Sequence, residues 1–232
     1  MVGTGAAVDQ ILIVAALKRE LAAVRQGKAQ NVALLETGEG AQNCEAALRR
    51  YINERAPRAV LGIGFAGALS ESLEVGDLVI VDGFCGSDVR PPETLIRVAD
   101  KVDMGGVRHG VAVTVDEVVS QSRAKAELAR SLQDDEIGIV DMESSIVATI
   151  CAETRVPFAV VRAVSDLFSE DLPIDFNRYR TRDGRVSELR VMMAAVVKPS
   201  SIKGLRELDR RAKYCAGRLA AFVGRFVTIL EG

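Results

Sequence analysis

Short apolar runs alternate along the chain with stretches whose apolar residues recur three and four apart, from residue 11 to beyond residue 160. Runs rich in Val, Ile and Leu without polar alternation read as strands buried on both faces, and the 3.6-residue periodicity between them reads as helix. Strands are therefore expected at 11–16, 31–36, 58–65, 78–81, 111–115, 137–140 and 156–164. Helices are expected at 17–24, 42–54, 123–132, 144–154, 187–197 and 202–230, the last two separated at Pro199. Between 83 and 103 the pattern weakens and Pro91-Pro92 marks a loop, while 167–185 is polar and broken by Pro173, Asn177 and Gly184. With no repeat, linker or low-complexity tract, the pattern predicts a single domain over residues 1–232. Its fold class is α/β, a three-layer α/β/α sandwich around a mostly parallel (mixed) sheet.

Composition narrows the function classes. The 232 residues are 48% hydrophobic with a formal net charge of −2, enough apolar content for one sizeable core and no general attraction to nucleic acid. Lys and Arg do gather between 198 and 225, but Glu207 and Asp209 are interleaved there, which reads as a solvated helix face. No apolar run reaches the roughly 18 residues of a membrane span, and the polar start Met1-Val2-Gly3-Thr4-Gly5 lacks the basic-then-apolar form of a secretory leader, so a cytoplasmic location is expected. Cys44, Cys85, Cys151 and Cys215 are far apart without CxxC spacing and read as small core residues. The single histidine, His109, falls before a strand and reads as a loop residue without a role. One histidine cannot build a His-rich metal site, and no cofactor is implied. Any catalysis has to rest on carboxylates.

Those carboxylates stand at informative places. Residues 138–171 read strand, helix, strand, and the two strands run out into Asp141-Met142-Glu143 and Ser165-Asp166. In open α/β sheets, chemistry gathers at the carboxyl ends of such strands. Glu20 lies in the first turn of the helix after the first strand, where the helix dipole alone would favour an acid, so a structural reading stands beside a chemical one. Thr37-Gly38-Glu39-Gly40-Ala41 joins a strand to a helix; its glycines let backbone amides approach an anion, or they serve a tight turn. Gly38-Glu39-Gly40-Ala41-Gln42-Asn43 lacks the third glycine of a dinucleotide fingerprint, which excludes that reading. The density of small residues over 62–69 suggests that a ligand or another backbone comes close.

With Gly64-Phe65-Ala66-Gly67, Val75-Gly76-Asp77, Asp141-Met142-Glu143 and Arg162-Ala163-Val164-Ser165-Asp166 in register, the chain resembles the purine nucleoside phosphorylase and nucleosidase superfamily over most of residues 11–170. Ala15-Ala16-Leu17-Lys18-Arg19-Glu20 is similar to the opening of the methylthioadenosine/S-adenosylhomocysteine nucleosidases. The later part, Asp171-Leu172-Pro173 and Asp183-Gly184-Arg185-Val186, resembles the hopanoid-associated phosphorylases, thought to release adenine from adenosylhopane. The resemblance implies a nucleoside phosphorylase-like fold, a small-molecule nucleoside substrate, phosphate as a possible second one, and a homo-oligomer, a dimer by family habit. It implies that Asp166 protonates N7 of the departing purine and that Glu20 takes a proton from the attacking water. Glu143 would hold the ribose hydroxyls, with Met142 against the sugar and Phe65, Ala66, Gly67, Val118 and Ser165 in the substrate site. For Asp166 to act as an acid near neutral pH, burial is the expected means of retaining its proton.

Two positions depart from the family. At Phe65 it commonly has a serine whose hydroxyl helps to hold the water or phosphate, and at Val118 the nucleosidases carry an aromatic ring stacked on adenine. Arg90 and Arg97 fall in a loop that does not align with the phosphorylase anion site; water and phosphate both stay open as nucleophile, with Glu20 favouring water. A nucleoside-binding module without turnover is the alternative from another class, and Phe65 is its best support. Leu167, Phe168, Leu172, Ile174 and Phe176, with Val191, Met192 and Met193, either complete the core or line the 5′ side of a pocket for a large apolar substituent.

Overall fold

A computed structural model describes residues 10–26, 31–179, 181 and 200–232. The elements run β1 (Ile11–Ala15), α1 (Lys18–Gln26), β2 (Val32–Glu36), α2 (Ala41–Arg55), β3 (Ala59–Ala68), β4 (Leu78–Phe84), α3 (Glu93–Asp100) and β5 (Val107–Thr114). Then come α4 (Ser122–Ala129), β6 (Gly138–Asp141), α5 (Ser144–Thr154), β7 (Phe158–Asp166), a 3-10 turn at Phe176–Tyr179 and a long α6 (Ser200–Glu231).

The strands lack polar alternation because both sheet faces are covered. Successive residues point to opposite faces, so Ile13, Leu61, Ile80 and Val161 pack with Leu21, Leu95, Leu219, Phe222 and Phe226 of α1, α3 and α6. Their neighbours Leu12, Val60, Val79 and Val160 pack with Leu48, Val147 and Cys151 of α2 and α5. This is the expected layering. Each large apolar side chain so buried contributes about 1.5–3 kcal/mol.

The sheet is mixed and partly closed. β1 lies parallel between β2 and β3, and β3 runs parallel to β7. The last two residues of β3 turn to pair antiparallel with β6, Gly67 opposite Val140 and Ala68 opposite Ile139. β6, β5 and β4 are parallel neighbours, and β4 returns antiparallel to β7. β3, β6, β5, β4 and β7 thus close a ring, with β1 and β2 extending from β3. Where β3 changes partner its register against β7 slips between Ala66 and Gly67, leaving Gly67 opposite Asp166. A bulge of this kind re-aims side chains.

Several boundaries differ from the sequence expectation. β3 does not stop at Phe65 but continues through the small residues to Ala68. Helix α3 forms directly after Pro92 where a loop was expected, so Arg97 is helical. β5 starts at Val107, which places His109 in a strand, its ring between Asp82 and Asp100. Gly110 disguised that strand: a Cβ there would collide with the Ile137 carbonyl oxygen. The helix expected at 187–197 lies outside the described residues. Cys44, Cys151 and Cys215 are buried core residues, and burial pushes their thiols up to about 12, 12 and 11. Among the described residues, no helix is long and apolar enough to cross a membrane.

Candidate active site

Glu20 is buried with both carboxylate oxygens engaged. Oε2 accepts a hydrogen bond from the Leu17 amide at 2.7 Å, closing the start of α1, and Oε1 accepts from the Phe65 amide of β3 at 2.9 Å. The first bond is that of a helix-start acid, and the second ties the same carboxyl to β3. Burial raises the Glu20 carboxyl above its ordinary range, opposed by Arg162, the two amides and Arg19. Phe65 contributes its backbone N–H, while its half-buried ring lies beneath the exposed Arg19 guanidinium, 5.7 Å from the centroid.

Glu143, at the start of α5, reaches across to the start of α2. Its Oε1 accepts from the Gly40 amide at 2.7 Å, with Gly40 at φ 87. The glycine turn does offer its amide to an acid at a helix N-terminus, and that acid is the protein's own Glu143. Burial pushes Glu143 up to about 8; Asp141 and Glu20 add to the rise, and Arg162 and the Gly40 amide oppose it. Met142 stands half-buried between these two acids of the motif.

Arg162 is the charge that lets three acids be buried together. Itself buried on β7, it pairs with Asp141 at 2.7 Å and donates to Ser144 Oγ at 2.9 Å and to the Ile63 carbonyl at 3.0 Å. Asp141 also accepts from Thr114 and from the backbone and hydroxyl of Ser144, which fixes the start of α5. Glu20, Asp141 and Glu143 all hold the guanidinium in its charged form.

Asp166 ends β7 buried. Its Oδ1 accepts from Ser165 Oγ at 2.7 Å, the same hydroxyl lying 3.2 Å from the Ala66 carbonyl. Its Oδ2 is met at 2.5 Å by the ammonium of Lys125, a fully buried residue of α4. The sequence alone leads to a carboxyl that is simply buried; the structure adds a buried cation to it.

β3 is the spine that gathers these groups. A Cβ on Gly64 would collide with Arg162 Nη1 and lie 3.1 Å from Glu20 Oε1, and one on Gly67 would lie 2.9 Å from Asp166 Oδ2. The close approach that the small residues permit is therefore by the charged side chains of the site. Gly64 and Gly67 are three residues, about 10 Å, apart along the strand. Val118 is half-buried, and the Asn177 side chain bonds both its N–H (3.0 Å) and its carbonyl (2.9 Å). The segments after β5 and β7 are joined further by Leu172 to Ser120 and by Ser122 to Asp171. A cavity of about 370 Å³ lined by residues including Gly76, Arg108, Tyr214 and Arg218 contains none of the site residues.

Sequence reasoning assigns no role to Lys125, Arg162 or Asn177. Arg162 is visible there as a charge in the middle of an apolar strand. Lys125 precedes Leu128, Ala129 and Leu132 by three, four and seven residues, which puts it on the apolar stripe of its helix.

Comparison with known proteins places the chain in a family. The phosphorylase superfamily model matches residues 17–191. The 5′-methylthioadenosine/S-adenosylhomocysteine nucleosidase of Shewanella oneidensis is 29% identical over 199 residues, covering 75% of this chain and 83% of that one. Its counterpart in Shewanella loihica is 27% identical over 190 residues, covering 72% and 82%. Among solved structures, the nucleosidase of Neisseria meningitidis in complex with methylthio-immucillin-A superposes with a TM-score of 0.72 at 21% identity, covering 94% of this chain and 98% of that chain. Futalosine hydrolase of Helicobacter pylori gives 0.73 at 17%, covering 95% and 98%. The chain belongs to the phosphorylase superfamily, as an enzyme of the nucleosidase and phosphorylase kind.

Proposed function

We propose that the protein cleaves the N-glycosidic bond of a purine nucleoside, a 5′-modified adenosine, with water as nucleophile. The observation that carries this is the set of buried carboxyls, each held by a donor of its own: Glu20 by Phe65 and Leu17, Glu143 by Gly40, Asp166 by Ser165 and Lys125. Asp166 gives a proton to N7 and makes the purine a neutral leaving group. Glu143 holds the ribose hydroxyls through its carboxyl oxygens. In its ionised form, which a positive charge opposite it favours, Glu143 stabilises the ribosyl cation that develops as the C1′–N9 bond breaks. Glu20 accepts the proton of the attacking water, and its raised affinity for protons is the direction a general base needs.

Water is supported over phosphate by the local engagement of the loop and α3 arginines. Arg90 donates to the Ser87 and Val89 carbonyls, and Arg97 pairs with Glu93. The phosphate-dependent alternative draws on Arg19, stacked over Phe65 beside Glu20. Adenine release from methylthioadenosine and from adenosine, with and without phosphate, tests the reading. Release without phosphate is expected; release only with phosphate assigns a phosphorylase, and no release from any nucleoside assigns a binding module.

A further inference from the structure

Lys125 has all three ammonium N–H groups committed: Nζ donates to Asp166 Oδ2 at 2.5 Å, to the Leu167 carbonyl at 2.6 Å and to the Glu170 carbonyl at 3.3 Å. Its side chain is fully buried, and a buried charge is costly unless it is paired. The carboxylate that pairs with it belongs to the proposed proton donor. The other charged or titratable groups facing this pair are set apart. Glu170 turns its carboxylate to Arg211 of α6, Asp171 feels the Lys125 ammonium from the segment after β7, and the Cys215 thiol of α6, which feels the Asp166 charge, points to the Val164 carbonyl.

We infer that Lys125 and Asp166 form one proton-holding pair, in which Lys125 stores the proton that Asp166 delivers to the leaving base. The inference rests on the base-release reading above. A carboxylate beside an ammonium and a neutral carboxyl beside an amine hold the same number of protons, so their ratio does not change with pH while the pair keeps its proton. A transferable proton is then present at neutral pH without being drawn from bulk water. In the step itself the proton held on Nζ passes to the Asp166 carboxylate and from it to N7, and the C1′–N9 electron pair stays with the base. Lys125 is left as an amine and Asp166 as the carboxylate it was. The water proton goes to Glu20, and exchange with solvent restores both groups.

The test is kcat/KM for adenine release between pH 5 and 9 with the full chain, taken as the ratio of variant to wild type at each pH so that the Glu20 limb cancels. In Lys125→Arg the charge persists but a guanidinium does not give up its proton. Its ratio is expected to be down on the order of 10²-fold at pH 8 and to climb as pH falls, because the proton must then be drawn from solvent. Lys125→Met serves if the arginine does not fold, with folding followed by circular dichroism; its ratio should also be lowest at high pH, without matching the arginine slope, because the charge opposite Asp166 is gone. A ratio that stays constant across the range in the folded variants overturns the proton-holding role and leaves Lys125 as a packing residue. Asp166→Asn separates the two levels: if it keeps more than about a tenth of wild-type activity, the base-release reading itself fails.

Discussion

A carboxyl group that binds its proton more tightly folded than unfolded makes stability fall as pH rises. For Glu143 the ordinary value is 4.5 and the buried one about 8. Its contribution is fully present below about 4.5 and is lost progressively up to about 8. Glu143→Gln removes this titration while keeping an acceptor for the Gly40 amide. The variant's melting temperature should therefore fall less between pH 5 and pH 8 than that of wild type; parallel curves would show that Glu143 is ionised throughout. The same variant should lose discrimination between ribose and 2′-deoxyribose substrates. Asp166→Asn is expected to reduce base release by ~10²–10⁴-fold. Here stability must be read alongside activity, since the amide leaves the Lys125 ammonium without a counter-charge, a loss of about 3–5 kcal/mol where a buried pair is broken. A denaturation midpoint equal to wild type would mean that Lys125 finds water or another acid. The acids were legible in the sequence because each stands at the end of a strand or at the start of the helix that follows one. The cations that make their burial tolerable show in the sequence only as charges on an apolar strand and on an apolar helix stripe, and only the folded chain shows which carboxyls they meet.

At the level of elements, β3 has two jobs that conflict in sequence: it must be the central strand of a closed sheet and it must leave room for Arg162, Glu20 and Asp166. Glycines at 64 and 67 reconcile them, and for that reason the strand's end could not be recognised from β-propensity. α3 was hidden for a related reason, its short amphipathic stretch lying behind two prolines that read as loop, although Pro92 serves as its N-cap. Gly64→Ala tests what the glycine does. The added Cβ would force Arg162 Nη1 away from the Ile63 carbonyl and disturb its pairing with Asp141, so a loss of about 3 kcal/mol or more in denaturant unfolding is expected. Gly217 is exposed on α6, a methyl group added there would meet nothing within 4 Å, and Gly217→Ala should stabilise by up to about 1 kcal/mol. Opposite signs in the two variants separate the steric role of Gly64 from general helix or strand preference. If Gly64→Ala is neutral, Arg162 has room that the packing does not show.

For the whole molecule, the proposed reading puts substrate choice at the 5′ position in the segment after β7 and in how it lies against the rest. The Asn177 and Leu172 contacts fasten this segment to the loop that carries Val118. Leu172, Ile174 and Phe176 are half-buried within it, while Phe168 packs on the core beneath α2 and α5. Phe168 thus fits a core-completing role, and the other three retain apolar surface that a ligand could cover. Val191, Met192 and Met193 lie outside the described residues. If the half-buried residues face the 5′ substituent, each added methylene on a 5′-alkylthioadenosine should tighten binding by up to ~0.8 kcal/mol, close to fourfold in Kd. Calorimetric titration of Asp166→Asn with methyl, propyl, butyl and hexyl members measures this without turnover. Replacing Ile174 and Phe176 by alanine should flatten the dependence on chain length while leaving the methyl member bound as before. Affinity that is flat or falls beyond methyl in the unaltered pocket assigns a small closed site and a methylthioadenosine-type substrate.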